Sequence, residues 1–279
     1  MKLYFAPGTC SFSPHIALRE AGIDVELVRV DIKKHVLAAD GRDFSTINPR
    51  GYVPVLELDN GVRLTEGPAI VQYIADLKPE SGLAPRAGTL ERYQLQEWLG
   101  FINSEVHKGF SPLFNPATPA EYKSIALKNL SNRLDYIAGH LAKNEYLMGQ
   151  NFTVADGYLF TVLGWLHWVG LDIKQWPALS AFVERIASRA SVSDALAAER
   201  LKNDLCDLAR RGGKKCRGPA PGSDCSNESQ SHSGFRHCAG MKVWEVFIHS
   251  WSSPVSDENL RARYFNELAP EQMPPPTHR

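Results

Sequence analysis

The chain has 279 residues, 43% of them hydrophobic, enough for one large or two ordinary domains with a sizeable core. Its 31 Lys and Arg balance 31 Asp and Glu, which gives no electrostatic ground for nucleic acid or an anionic membrane as the main partner. No stretch reaches the roughly 18 apolar residues needed to span a bilayer, and MKLYFAPGTC carries Pro and Gly where a leader would be apolar. The expected location is the cytoplasm. Of the five cysteines, Cys10 stands alone in the first 205 residues. It has no partner there for a disulfide and is either a small buried hydrophobe or a reactive centre.

Taken in chain order, Lys2–Phe5 reads as a strand broken by Pro7-Gly8. Ser13-Pro14 offers a cap and a first-turn proline for a helix running to Gly22. Val25–Asp31 alternates with period two, a second strand, and polar loop-like sequence follows through Asn48-Pro49-Arg50-Gly51. Val53–Leu58 and Val62–Thr65 flank Asp59-Asn60-Gly61, a strong hairpin signal. Pro68 opens a helix with Ile70, Val71, Tyr73, Ile74 and Leu77 at helical spacing. A helix joining the first two strands makes them parallel, and the hairpin adds antiparallel ones, so residues 1–80 form an α/β domain with a mixed four-stranded sheet.

A Pro/Gly/Ser-rich run follows, with the linker over 81–89. From Leu90 the pattern is helical. Leu95, Trp98, Leu99, Ile102 and Val106 recur at spacings of three and four, and Pro119–Leu141 makes a second long helix. Thr153-Val154-Ala155-Asp156 is a capping-box pattern ahead of the most hydrophobic helix, Tyr158–Val169, which belongs at the centre of a bundle. Pro177–Arg189 and a short helix to Leu201 complete an all-α domain of about five helices over 90–201. Residues 202–279 are dense in Gly, Ser, Pro and charge, and read as an unstructured extension.

Three places carry chemistry. Cys10 lies where a strand gives way to a helix, and free N–H groups and the helix dipole can stabilise a thiolate there; the alternative is a structural cysteine. Pro54 is either a cis residue presenting the Val53 backbone to an extended peptide ligand or an edge-strand proline in trans. Glu66, at a helix start beside a ready carboxylate site, either pairs with a ligand ammonium or is a first-turn acid favoured by the dipole.

Together, Cys10-Ser11, Asn48-Pro49-Arg50-Gly51, Val53-Pro54, Thr65-Glu66-Gly67, Ser104-Glu105-Val106-His107-Lys108-Gly109-Phe110 and Thr153–Asp156 resemble a cytosolic glutathione transferase of the bacterial beta class, over residues 1–201. The resemblance implies a thioredoxin-like N-terminal domain, a helical second domain, a homodimer and glutathione as co-substrate, with no other cofactor and no metal. It implies that glutathione pairs with Val53 beside cis-Pro54, and that its γ-glutamyl carboxylate sits at Glu66 and Gly67. Its sulfur would then lie between Cys10 and His107. Ser104, Glu105 and Lys108 map onto site-lining positions, some across a dimer cleft. Ser104, His107 and Lys108 also fall at i, i+3, i+4 on one helix face, which without the resemblance reads as solvated. His35, after Lys33 and Lys34, stands where related sequences have a Lys for the glycyl carboxylate, so that contact becomes either weaker or pH-dependent. Gly100 replaces an Asn.

Ser13 occupies the resolving position of a C-x-x-C motif, which argues against a two-thiol oxidoreductase and leaves a one-thiol cycle open. Bringing a thiol from ~8.5 to neutrality takes about 2 kcal/mol, within reach of a helix terminus and a few hydrogen bonds. His107 would help by donating to the sulfur, or as a base if neutral. The expected activity is conjugation of glutathione to small hydrophobic electrophiles, with glutathione-dependent disulfide exchange or peroxide reduction through Cys10. The rival is a non-catalytic binding or docking protein on the same fold. Leu113-Phe114 and Trp165 or Trp168 are candidates for the electrophile's wall. In the extension, Cys206, Cys216, Cys225 and Cys238 are separated by nine, eight and twelve residues and, even with His232 and His237, lack zinc-ligand spacing. The basic run 210–215 reads as solvated.

Overall fold

A computed structural model describes residues 1–199; the extension expected over 202–279, with its cysteines and basic run, lies outside the described residues. Strand β1 (Lys2–Phe5) pairs in parallel with β2 (Glu26–Asp31), Lys2 opposite Glu26, and antiparallel with β4 (Val55–Glu57), Leu3 opposite Leu56. β5 (Arg63–Thr65) completes the hairpin with β4, and Gly61 at φ 80° supplies the left-handed turn residue. The sheet is mixed, as expected, but has five strands in the order β3-β2-β1-β4-β5. The added strand, β3 (Val36–Leu37), is only two residues long and pairs Val30 with Leu37 at the sheet edge. A pair of residues is too short to show a period.

Helix α1 (Phe12–Glu20) starts earlier than Ser13-Pro14 suggested, with Ser11 at its N-cap position. Ser11 is held instead by the preceding loop, its Oγ donating to the Ala6 carbonyl at 3.1 Å. Helix α2 (Gly67–Leu77) starts one residue before Pro68. Residues on one sheet face, Leu3, Phe5 and Leu56, join α1 and α2 in a core that continues into the second domain; Tyr4, Val30, Leu37, Phe44 and Val55 form a separate cluster on the other face.

The second domain contains α3 (Leu90–Phe101), a four-residue α4 (Ser111–Phe114), α5 (Ala120–Leu141), α6 (Val154–Leu163), α7 (Pro177–Ala187) and α8 (Ala190–Ala198). The apolar segment begins its helix at Val154 and leaves α-geometry at Leu163, continuing as a 3-10 turn over Leu166–Val169. Every residue of α6 is buried, in keeping with its all-round hydrophobicity. Its capping box is formed: Asp156 accepts from Thr153 N at 2.8 Å and Thr153 Oγ1 at 2.9 Å, and also from Leu147 N at 2.8 Å.

Polar ties then fix the second domain against the Cys10 loop. Glu199 accepts from Gly8 N at 3.2 Å and meets His15 Nδ1 at 2.9 Å, with both side chains fully buried. Trp165 Nε1 donates to the Gly8 carbonyl at 2.9 Å. Glu20 on α1 receives both the Nε and Nη2 donors of Arg189, at 2.6 and 2.8 Å. Burial works against the Glu20 carboxylate, but these bonds and one from Ser191 outweigh it and hold the group below its usual range. No helix of the described residues is long and apolar enough to cross a membrane.

Candidate active site

A cavity of about 230 Å³ opens between the two domains. Its first-domain wall comes from Thr9 and Cys10 on the loop into α1, the segment Arg50–Pro54, and Thr65–Gly67 at the start of α2. Its second-domain wall is Asn103, His107, Lys108 and Tyr158. Of the residues expected at the site, Cys10, Val53, Pro54, Glu66, Gly67, His107 and Lys108 therefore line one space.

The Cys10 thiol donates to the Val53 carbonyl at 3.3 Å, and the Val53–Pro54 peptide bond is cis. The sequence-based expectation of a thiol lowered toward neutrality fails here. Burial pushes Cys10 up to about 12, with a small push from the Glu66 charge, against the opposing effects of the Cys10 and Ser11 N–H groups and the Lys108 charge. Ser13, in the resolving position, is buried and its Oγ has no hydrogen-bond partner among the described residues.

Glu66 sits at φ 68° immediately before α2. A left-handed non-glycine residue costs on the order of 1–3 kcal/mol, and here it sets the carboxylate over the cavity. Arg50 Nη1 bonds its Oε1 at 2.9 Å, both side chains being largely exposed.

After α3, the chain widens into a π-helical segment, Ile102–His107. Such turns use i→i+5 hydrogen bonds, so residues four and five apart stack where three and four apart would in an α-helix. Asn103, His107 and Lys108 consequently face the cavity. Ser104, expected on that face, is exposed and donates to the Gly100 carbonyl at 3.0 Å. Glu105 forms an ion pair with Arg133 of α5 at 2.8 Å. His35 also lies outside the lining. It takes a left-handed φ of 54° and packs its ring on Gly51, Nδ1 standing 3.0 Å from where a Cβ would be.

His107 Nδ1 lies 2.7 Å from Tyr158 Oη, which donates to Asn103 Oδ1 at 2.9 Å. Burial, then the Lys108 charge, lowers His107 to about 4, so the imidazole is neutral at physiological pH. Its edge meets the Trp165 ring, centroids 4.8 Å apart. Trp165 is itself a buried core residue, whereas Phe114 and Trp168, 6.2 Å apart, are half-buried. No group of His, Cys, Asp and Glu among the described residues could hold a metal ion. Sequence reasoning missed Arg50, Asn103 and Tyr158. Asn103 stands four residues before His107, a spacing that shares a face on any helix, whereas the five-residue step from Asn103 to Lys108 needs the widened turn.

Residues 1–76 match the family model for the N-terminal domain of glutathione S-transferases, and residues 101–190 the model for their C-terminal domain. Glutathione S-transferase GstA of Escherichia coli O157:H7 is 47% identical over 202 residues, which is 72% of this chain and all of the relative. The chain belongs to the glutathione S-transferase family. Glutathione S-transferase GST-4.5 of Xanthomonas campestris is 36% identical over 211 residues, covering 72% of this transferase and all of the relative. Among solved structures, the ternary complex of BphK, a bacterial transferase, superposes with a TM-score of 0.71 at 54% identity, over 72% of this chain and all of the other. The beta-class glutathione S-transferase of Sphingomonas chungbukensis superposes with a TM-score of 0.70 at 50% identity, with the same coverage. These likenesses place the transferase in the bacterial beta class and carry the enzymatic reading rather than the docking one.

Proposed function

We propose that the cavity binds glutathione as an extended peptide and activates its sulfur for attack on a small hydrophobic electrophile. The observation that carries this is the convergence of Cys10, the cis Val53–Pro54 bond, the N-terminus of α2 and a neutral His107 on one space. The Val53 backbone beside Pro54 pairs with the cysteinyl unit, its carbonyl having a second lone pair beyond the one facing Cys10. The γ-glutamyl carboxylate docks on the exposed N–H groups at Gly67, and its ammonium on Glu66, which exchanges Arg50 for it. Lys108 supplies positive charge toward the thiol, His35 packs behind Gly51 toward the glycyl end, and Ser104 and Glu105 complete the site at the cleft of a homodimer. The sulfur sits between Cys10 and His107, and Phe114 and Trp168 offer apolar surface to the second substrate. The enzyme works in the cytoplasm as a homodimer. A relative supports the ligand: the sphingomonad glutathione S-transferase solved with glutathione superposes with a TM-score of 0.70 at 50% identity.

The test assays conjugation of an aromatic electrophile and glutathione-dependent disulfide exchange, on the intact protein and on Cys10→Ala. Exchange falls at least tenfold in the variant if Cys10 forms the mixed disulfide. Undiminished exchange removes that role from Cys10, and absence of glutathione binding by the intact protein removes the proposal.

A further inference from the structure

We infer that Asn103 and Tyr158 are positioning residues: they fix the proton of His107 on Nδ1 and so keep Nε2 as the atom that accepts the glutathione sulfhydryl proton. This rests on the reading of the cavity as a glutathione site, and adds to it a device that selects one of two imidazole tautomers.

The selection follows from hydrogen-bond direction. An amide oxygen only accepts, so the 2.9 Å contact with Asn103 Oδ1 uses the single Tyr158 O–H. Tyr158 Oη then has only lone pairs to offer His107, and the 2.7 Å contact requires a proton on Nδ1. With the ring neutral, Nε2 carries a lone pair, and it makes no hydrogen bond to any described residue. The chain from Asn103 through Tyr158 to His107 spans two elements. Its ends are both on the π-helical segment and its middle is on α6, the most buried helix of the fold. Tyr158 is 2% exposed, so no bulk water competes for its hydroxyl.

In the reaction, the glutathione S–H bond breaks as the carbon–sulfur bond forms. The proton passes to Nε2, the electron pair stays on sulfur to attack the electrophile, and the leaving group departs with its own pair. The opposite tautomer would present an N–H to the sulfur, able to donate to a thiolate but unable to remove the proton.

The experiment is ¹⁵N NMR of histidine-labelled full-length protein, with the His107 resonances identified from His107→Gln, together with steady-state kinetics. The wild type shows a protonated Nδ1 and a bare Nε2. Asn103→Leu frees the Tyr158 hydroxyl to turn toward Nδ1, inverting the tautomer. It lowers kcat by about 10²-fold, with KM for glutathione changed by less than about twofold. Asn103→Asp keeps an acceptor oxygen, retains the wild-type tautomer and recovers at least about tenfold of the lost kcat. Tyr158→Phe removes the middle of the chain and yields both tautomers. A bare Nε2 persisting in Asn103→Leu, or a loss confined to KM, overturns the inference. Calorimetry with glutathione on the same samples separates the two claims: no binding by the wild type sinks the cavity assignment, while the tautomer readout still decides the relay.

Discussion

The raised Cys10 thiol makes a prediction about its reactivity. At pH 8 a group near 12 is ionised in about one part in ten thousand, against about a quarter for a free cysteine near 8.5. That lowers the thiolate fraction about two-thousandfold. The more basic thiolate is intrinsically more nucleophilic, with a Brønsted slope of about 0.4–0.5 over some 3.5 pKa units, which returns about 40-fold. The net expectation is exchange roughly 50-fold slower than a free thiol before steric effects. The assay treats the ligand-free protein with 2-hydroxyethyl disulfide between pH 7 and 10, quantifies the Cys10 peptide by mass spectrometry, and uses a cysteine peptide capped at both ends as reference. The Cys10 rate should climb about tenfold per pH unit across the range, while the reference levels off near 9. A Cys10 rate at or above the reference at pH 7, or a plateau below pH 8, refutes the reasoning. It would mean that Lys108 and the α1 terminus outweigh desolvation in the folded protein.

Asp156→Ala should cost roughly 3–5 kcal/mol in urea unfolding, since it strips acceptors from the buried Leu147 and Thr153 N–H groups and the Thr153 hydroxyl. Asp156→Asn, which keeps one acceptor oxygen, should lose about half as much. Gly51→Ala should lose about 1–2 kcal/mol, because a Cβ at φ 72° would stand 3.0 Å from His35 Nδ1. A double-mutant cycle with His35→Ala checks the cause: relief of the contact should return part of the loss, and strict additivity would argue against it.

The strand order β1–α1–β2, the β4–β5 hairpin and the α6 capping box were legible because each rests on local chemistry: alternation, Asn60-Gly61, and Thr153 three residues before Asp156. The cis geometry at Pro54 was one of two open alternatives, since local sequence does not distinguish them. β3 and the Glu199 contacts were invisible for different reasons. β3 is too short to carry a pattern, and Glu199 meets Gly8 and His15 across 191 and 184 residues of chain. The thiol of Cys10 was misjudged because a helix terminus can be read from sequence and desolvation cannot. Glu105 was placed by the family resemblance alone, and Ser104 by the resemblance together with α-helical spacing, which does not hold between Ile102 and His107.

That last segment has a bearing on how the chain could change. A π turn holds one more residue than the α turn it replaces, so it behaves as a single-residue insertion at a fixed point in a long helix. Deleting one residue between Phe101 and Asn103 would let the helix close to α-geometry with little cost to its own hydrogen bonds. The residues from Asn103 onward would then turn by about 100° relative to α3, Lys108 would leave the face that Asn103 and His107 share, and the Tyr158 contact would be lost without any of the four being substituted. Variation at this site is therefore coupled to chain length as well as to residue identity. An alignment that closes this one-residue gap will pair positions that do not share a place in the cavity.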